Sequence, residues 1–303
     1  SGPTVAPRAS FNNEIGLPLT VLEADESTRY LVLEMGASGP GHIAYLTDIA
    51  PLDAAGVLMI GHAHMGGFGS IEGVAAAKAE IIAGLRPEGI AILNADDARA
   101  AAMAELAPAR VLTFSARGRQ ADLRAENVDL DAAARAAFDL HLPGLAEPCR
   151  VQLAVAGVHN VSNALAAAGL ALAAGIAPEL IAERLGSVSI ESPHRMDISE
   201  LSGDLLLIDD SYNANIDSMT AALAVLPALA GERRRVVVIS EMLELGESSA
   251  ADHARTGELA AQAGAAMLIG IGSTQEALEA AGARGVEVVG FDDAAAAISQ
   301  IDA

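Results

Sequence analysis

Residues 55–60 read Ala-Gly-Val-Leu-Met-Ile, and the glycine-rich loop Gly-His-Ala-His-Met-Gly-Gly-Phe-Gly follows at 61–69. The alanine-rich stretch 70–83 comes next, and a second apolar run, Ile-Ala-Ile-Leu-Asn, occupies 90–94. Apolar runs that alternate with helical stretches in this way are typical of a parallel sheet flanked by helices. Ser70 directly precedes the helical period and is predicted to be its N-cap.

The same alternation extends along the chain. In the first part we predict strands at 30–34, 55–60, 90–94 and 111–114, and helices at 70–83, 97–106, 158–174 (with Gly175 as C-cap) and on to 185. An alternating segment at 122–156, with strands 138–142 and 151–155 around Pro143-Gly144, predicts an antiparallel hairpin insertion. After a linker at 187–195 we predict strands at 205–209, 236–240, 267–270 and 286–289, and helices at 218–229, 252–263, 275–281 and 292–301.

These patterns predict an α/β protein with two doubly wound parallel-sheet domains, the first of which carries the hairpin insertion. The boundary is placed between residues 1–188 and 189–303. A length of 303 residues suits two domains of ordinary size.

Composition excludes several classes of function. The chain has 18 basic and 40 acidic residues, a net charge of −22, which disfavours nucleic acid and anionic membranes as partners. No apolar run reaches the roughly 20 residues of a membrane span, and the first residues lack the pattern of a signal peptide. Cys149 is the only cysteine, so an internal disulfide is excluded. We therefore expect a cytoplasmic protein.

Lys78 is the only lysine, beside 17 arginines. In one interpretation it is a surface lysine that persists by chance. In the other it performs chemistry that a guanidinium cannot, because an ammonium group can be desolvated, lose its proton and then be modified.

Glu34 and the histidines of the 61–69 loop follow predicted strands, at the edge where parallel sheets bind ligands. Glu34, His64 and Lys78 are therefore expected to converge. Taken alone, this set is only a weak indication of a metal site, because hard cations prefer carboxylates to imidazole. His64 has the alternative interpretation of an ordinary loop histidine.

Two further clusters are polar. Asn160 and Asn163 lie on one face at a helix start, where paired amides suit a polar ring such as adenine, although N-capping explains one of them. Residues 209–215 read Asp-Asp-Ser-Tyr-Asn-Ala-Asn after an apolar strand, and their composition fits either a turn or a polar ligand site. A P-loop, a dinucleotide-binding glycine motif and a hydrolase nucleophile elbow are absent from the sequence.

Taken together, these segments resemble the Mur ligases of peptidoglycan synthesis. The segments that carry the resemblance, in family order, are residues 11–20, 34–37, 63–70, 77–80, 94–97, 157–164, 195–196, 209–219 and 242–246. The resemblance implies ATP-dependent formation of an amide through an acyl phosphate, with Mg²⁺ neutralising charge. The segments at 68–70 and 210–215 are most similar to the members that add D-alanyl-D-alanine to a UDP-N-acetylmuramoyl-tripeptide.

The resemblance also implies roles for individual residues. Lys78 falls at the family's carbamylated lysine, with Glu34 and His64 at catalytic, metal-proximal positions. The implied nucleotide contacts are His159, Asn160, Asn163, Arg195, Asp210, Tyr212 and Asn215. Weaker substrate contacts are implied for Asn12, Asn13 and Phe68.

This chain departs from the family pattern in some places. It begins after the family's P-loop and ends before its Lys-Gly-Ser-Arg segment, and Ser240-Glu241 replaces the usual Gly-Asp. We therefore expect negligible ATP turnover from this chain alone, and self-association through apolar sheet surface that loss of the strand before the P-loop exposes. A sibling amide ligase, a folylpolyglutamate synthetase and a non-catalytic binding scaffold remain alternative functions.

Overall fold

The computed structural model of the chain describes residues 2–61, 68–188 and 193–301. These residues form two compact units. The first contains residues 2–61, 68–131 and 135–188, and the second is built mainly from residues 193–301. Residues 189–192 of the predicted linker lie outside the described residues.

The first unit is built around a six-stranded sheet. The strands of this unit are β1 Thr4–Val5, β2 Tyr30–Leu31, β3 Leu52–Val57, β4 Leu85–Asn94, β5 Arg110–Ser115, β6 Leu123–Leu130, β7 Arg135–His141 and β8 Cys149–Ala156. The large sheet has the order β3-β4-β5-β6-β7-β8. Pairing is parallel from β3 to β6 and antiparallel from β6 to β8. The predicted hairpin insertion is therefore β7 and β8, with β6 joining it to the parallel strands.

Helices cover both faces of this sheet. They are α1 Gly16–Leu22, α2 His42–Ile49, α3 Ile71–Ala83, α4 Ala98–Ala102, α5 His159–Ala173 and α6 Pro178–Leu185, with a 3₁₀ turn at Met103–Leu106. Ile92 and Phe114 belong to a buried core with Leu165 of α5. Residues of the opposite parity, such as Leu93, point to the other face, where α3 and α4 contact β4. This packing places the start of α3 near the carboxyl ends of the strands.

The second unit contains two small sheets. Its strands are β9 Asp197–Leu201, β10 Leu205–Asp209, β11 Val236–Ser240, β12 Met267–Ile271 and β13 Glu287–Phe291. Its helices are α7 Ile216–Ala230, α8 Ser249–Gln262, α9 Gln275–Gly282 and α10 Ala294–Ile301, with a 3₁₀ turn at Gly246–Ser248. Strands β11, β12 and β13 are parallel, and Val237, Ile239 and Leu268 pack in one core with residues of α7, α8 and α9. Strands β9 and β10 form an antiparallel pair.

The predicted α/β fold class is confirmed, with several local differences. The strand predicted at 30–34 is only Tyr30–Leu31, and residues 32–34 belong to no strand. Strand β9 was not predicted, and among the described residues β10 pairs with β9 rather than with β11. Helix α5 ends at Ala173 with Ala174 as its C-cap, so Gly175, the predicted C-cap, is one residue further along and has φ 78°.

Helices α1 and α2 were also not predicted. The N-cap of α2, Gly41, has no side chain to cap the helix, so the local sequence carries no start signal. None of the helices within residues 2–61, 68–188 and 193–301 is long and apolar enough to cross a membrane.

Candidate functional site

Lys78 lies in the middle of α3, whose start is fixed by the predicted N-cap: the Ser70 hydroxyl accepts a 3.1 Å hydrogen bond from the Gly73 amide. The lysine is half-buried. Burial lowers the pKa of its amine below the ordinary value, and the nearby charge of Glu34 partly opposes that shift. The Lys78 side chain has no hydrogen bond or ion pair with another described residue. The fold therefore favours a neutral amine here more than a surface position would.

Glu34 lies on the segment after β2 and is exposed. Its Oε1 accepts a 2.9 Å hydrogen bond from Nδ2 of Asn12. The backbone of Asn12 is held in turn, since its carbonyl accepts a 2.8 Å hydrogen bond from the Gly36 amide. Asn12, expected to contact substrate, thus orients the carboxylate of Glu34 and leaves its Oε2 without a hydrogen bond from any described residue.

Asn13 and Phe68, the other two residues with weakly implied substrate contacts, lie in different surroundings. Oδ1 of Asn13 accepts hydrogen bonds from the amides of Ile15 at 3.1 Å and Gly16 at 2.8 Å, so this side chain supports the start of α1. Phe68 is half-buried just before α3. His64 lies outside the described residues.

The spacing of Asn160 and Asn163 predicts that they share one face of α5, and in the structure their side chains are hydrogen-bonded to each other. Nδ2 of Asn160 donates to the Ala156 carbonyl at 2.7 Å, and Nδ2 of Asn163 donates to Oδ1 of Asn160 at 2.9 Å. Asn160 is thereby used by the fold, whereas Asn163 is exposed and keeps its own Oδ1 free of hydrogen bonds from described residues. His159 is half-buried beside Gly157, whose φ is 104°. Oδ1 of Asn163 is therefore available to accept a hydrogen bond from a ligand.

The second unit holds the remaining nucleotide candidates on the segments 193–197 and 209–215. The Arg195 guanidinium lies 4.2 Å from the centroid of the Tyr212 ring, and both side chains are exposed. Oδ1 of Asp210 accepts a 3.0 Å hydrogen bond from the Met196 amide. Oδ1 of Asn215 accepts from the amides of residues 217 and 218, in a capping box that starts α7. The Arg195 guanidinium and the Tyr212 ring therefore lie side by side at the surface of this unit.

Several contributing residues were not singled out by the sequence patterns. His194 lies beside Arg195, and its Nδ1 is 2.7 Å from Oδ2 of Asp209. Both carboxylate oxygens of Glu80 accept backbone amides at the start of α2. These contacts join residues that are 15 or more positions apart, and no local spacing rule detects such pairs.

The segment 94–97 ties the carboxyl ends of the parallel strands together. Nδ2 of Asn94 donates to the Leu58 carbonyl at 2.7 Å, and Oδ2 of Asp97 accepts from the Ile60 amide at 2.7 Å. Oδ1 of Asp96 accepts from the hydroxyl of Ser115 at 2.8 Å. This segment of the family resemblance therefore builds the sheet edge rather than presenting free ligands.

The donor atoms around Lys78 are suited to a hard cation. Glu34 offers an unshared carboxylate oxygen, and a carbamate on Lys78 would add further oxygens, the ligands that Mg²⁺ prefers. Within the described ranges no group of three His, Cys, Asp or Glu side chains is placed to hold a metal ion. The described residues alone thus offer part of a magnesium site, and only if Lys78 is carbamylated.

Comparison with known protein families gives two matches. The family described as "Mur ligase middle domain" matches residues 3–171, and "Mur ligase, glutamate ligase domain" matches residues 194–303. Together they cover most of both units.

Individual proteins give a consistent result. UDP-N-acetylmuramoyl-tripeptide–D-alanyl-D-alanine ligase of Mycobacterium tuberculosis is 44% identical over 276 residues, which are 90% of this chain and 54% of that protein. The same ligase of Escherichia coli is 36% identical and covers 99% of this chain and 65% of its own length. The crystal structure of MurF from Acinetobacter baumannii superposes with a TM-score of 0.87 at 33% identity, over 99% of this chain and 64% of that one. The chain thus spans roughly half to two thirds of these relatives.

Proposed function

This chain belongs to the Mur ligase family, and from that premise we propose that it forms part of an ATP-dependent ligase of cytoplasmic peptidoglycan precursor synthesis. The ligase joins D-alanyl-D-alanine to UDP-N-acetylmuramoyl-tripeptide. Residues 1–188 correspond to the central ATPase domain and residues 189–303 to the C-terminal domain. The observation that carries the proposal is the lone Lys78, half-buried with a lowered pKa near Glu34, in a chain 44% identical to a ligase of that name.

The reaction proceeds in two steps. The terminal carboxylate of the tripeptide attacks the γ-phosphorus of ATP, so that an acyl phosphate forms and ADP leaves. The amine of D-alanyl-D-alanine then attacks the acyl carbon, and the tetrahedral intermediate expels phosphate as the new amide forms and the amine loses a proton. Such chemistry depends mainly on positioning and on neutralising charge.

Lys78 supports this chemistry as a carbamate. Its neutral amine adds to CO₂, a nitrogen–carbon bond forms and a proton is released. Burial favours the neutral amine, whereas an arginine at this position would stay protonated. The carbamate oxygen, Glu34 and His64 would hold Mg²⁺, and the ion when bound would neutralise charge on the transferred phosphoryl group.

The nucleotide contacts are proposed separately for each unit. In the first, Oδ1 of Asn163 is suited to accept a hydrogen bond from the adenine edge, and Asn160 orients the Asn163 side chain by accepting from its Nδ2. In the second, the Arg195 guanidinium is suited to phosphate oxygens and the exposed Tyr212 ring to a base or ribose. The ADP complex of the MurF ligase from Thermotoga maritima, 25% identical with a TM-score of 0.80 over 99% of this chain, supports a nucleotide as ligand.

The test is phosphate release in the presence of ATP, Mg²⁺ and UDP-N-acetylmuramoyl-tripeptide, measured for this chain and for the full-length product of its gene. The proposal expects negligible release from this chain alone and, from the full-length protein, release that depends on D-alanyl-D-alanine, since only the dipeptide completes the reaction. Release that depends on a single amino acid or on a folate would identify a sibling ligase instead. A folded full-length protein without turnover on any of these would indicate a binding scaffold.

We also propose that this chain self-associates. Ile15, the N-cap of α1, recurs at helical spacing with Leu19 and Leu22 of that helix, and the three are 70%, 50% and 80% exposed. An apolar stripe of this kind favours contact with another apolar surface.

A further inference from the structure

Glu80 joins two helices of the first unit. It lies on α3, two residues after Lys78, and its Oε1 accepts a 2.7 Å hydrogen bond from the Gly41 amide. Its Oε2 accepts a 3.0 Å hydrogen bond from the Ala44 amide. Both donors belong to the start of α2, where free amides and the helix dipole favour a negative charge. One carboxylate therefore fixes the position of α2 relative to α3.

The helix start that Glu80 holds is directly connected to Glu34. Residues 35–41 run from Glu34 to α2 without a helix or strand of their own. Asn12 anchors the beginning of this segment through Glu34 and Gly36, and Glu80 anchors its end through Gly41. The segment that carries Glu34 is thus attached at both ends, and one attachment comes from the helix that carries Lys78.

The two helices also approach closely further along. A Cβ added at Gly84, the C-cap of α3, would overlap the side chain of Thr47 on α2. Glu80 and Gly84 are four residues apart and lie on one face of α3 and its cap. The contact between α2 and α3 therefore extends from Glu80, which makes its hydrogen bonds, to Gly84 at the end of α3.

We propose that Glu80 is a positioning residue, which keeps the Lys78 amine half-buried beside Glu34 by binding the start of α2. The importance of Glu80 for catalysis rests on the proposed function, but the experiment that tests its positioning role does not. The contrasting possibility is that Glu80 only stabilises the fold and has no effect on the environment of Lys78.

The experiment uses Lys78 as the chain's only lysine side chain. The intact chain is acylated under native conditions in CO₂-free buffer with an amine-reactive acetylating reagent, and peptide mass spectrometry gives the rate at Lys78. In Glu80→Gln an amide group replaces one of the two accepting oxygens, so we expect the Lys78 rate to rise about tenfold as the helix contact opens. Glu72→Gln is the matched control, since Glu72 is on the same helix but pairs with Arg99 on the surface.

An unchanged rate at Lys78 in Glu80→Gln would overturn the proposal, even if the variant is less stable to urea. An equal rise in Glu72→Gln would overturn it as well, because loss of charge alone would then be sufficient. If Glu80→Gln does not fold, hydrogen exchange in the unmodified chain tests the contact between Glu80 and α2 instead. The amides of Gly41 and Ala44 must then be protected from exchange. Rapid exchange at both amides would contradict the contact. Neither measurement needs ATP or substrate, so failure here is distinct from failure of the ligase assignment.

Discussion

His194 and Asp209 form a close pair at the base of the segment that carries Arg195: Nδ1 of the imidazole lies 2.7 Å from Oδ2 of the carboxylate. Oδ1 of Asp209 accepts from the Ser211 hydroxyl at 2.6 Å and from its amide at 3.1 Å. His194 has φ 61°, a left-handed backbone that a side chain rarely adopts without support. The pair therefore holds the backbone conformation that precedes Arg195.

This pair predicts a pH dependence of stability at acid pH. The Ser211 hydroxyl, then His194 and the Ser211 amide, lower the pKa of Asp209 from 3.8 to about 2. Because the pKa of Asp209 is lower in the folded state, the ionised carboxylate contributes fully to stability above the unfolded pKa of 3.8. This contribution is lost as the pH falls through about 2. Asp209→Asn should lose less stability than the parent over this window, measured as the urea midpoint against pH. Asp292→Asn, an equal charge change at an exposed site, should follow the parent curve, and a parental slope in Asp209→Asn would contradict the assignment.

The stack of Arg195 on Tyr212 predicts that lysine cannot replace this arginine. An ammonium lacks the planar face and the paired donors of a guanidinium. Arg195→Lys in the full-length protein should lower kcat/KM for ATP by about tenfold, while the free energy of unfolding changes by less than about 1 kcal/mol. Arg29→Lys is the control, because the exposed Arg29 lies 5.3 Å from the centroid of the half-buried Tyr30 ring, outside the proposed site. Parental kcat/KM in Arg195→Lys would remove Arg195 from the nucleotide site.

Lys78 is predicted to be irreplaceable by either a smaller or a permanently charged side chain. Lys78→Ala should abolish ligation in the full-length protein, and added short carboxylates should restore part of it by supplying the missing oxygens. Lys78→Arg should be inactive and should not be restored, since the guanidinium fills the space and stays protonated. The measurement is phosphate release with all substrates present. Full activity in Lys78→Arg would disprove the carbamate.

Two glycines allow a matched test of the start of α5. Gly157 and Gly175 both have left-handed backbones, with φ 104° and 78°, but a Cβ at Gly157 would overlap the His159 ring while the space around Gly175 is empty. Gly175→Ala should cost about 1–2 kcal/mol in free energy of unfolding, from backbone strain alone. Gly157→Ala should cost about twice as much, because the ring of His159 must move. Equal costs by urea denaturation would show that His159 moves freely.

The sequence predicted elements whose signals are local. The strand at 236–240 is predicted by its run of apolar residues. The helix at 70–83 is predicted by its apolar periodicity and by the N-cap Ser70. The α/β class follows from signals of these two kinds. Helix α2 did not, because its cap is Glu80, 36 or more positions away. Strand β9 was missed for a related reason: all five of its residues are exposed, so it lacks the alternation that marks a half-buried strand.

The candidate site was predictable to a similar extent. The spacing of Asn160 and Asn163 predicted a shared face, and the structure joins their side chains. Asn12 and Asn13 are adjacent, yet the first orients Glu34 and the second supports α1. Which atoms of a polar residue remain free depends on partners brought near by the fold, and the sequence pattern contains no information on those partners.

The apolar stripe of α1 predicts that association of this chain depends on concentration. Ile15, Leu19 and Leu22 lie on one exposed face, whereas Leu17 on the opposite face is fully buried. Burying such side chains in a contact between copies is favourable in proportion to the apolar area removed from water. Light scattering over a range of concentrations should therefore give a mass that rises above that of the 30.7 kDa monomer.

A charge placed in the stripe should oppose this association. Leu22→Glu is expected to shift the protein to the monomer, because a carboxylate buried in an apolar contact without a partner is strongly unfavourable. Leu106→Glu is the matched control: Leu106 is 50% exposed but lies outside the stripe, so its substitution should leave the mass unchanged. If the parent chain is monomeric at all concentrations, or if both variants dissociate it equally, the stripe is not the surface through which copies meet.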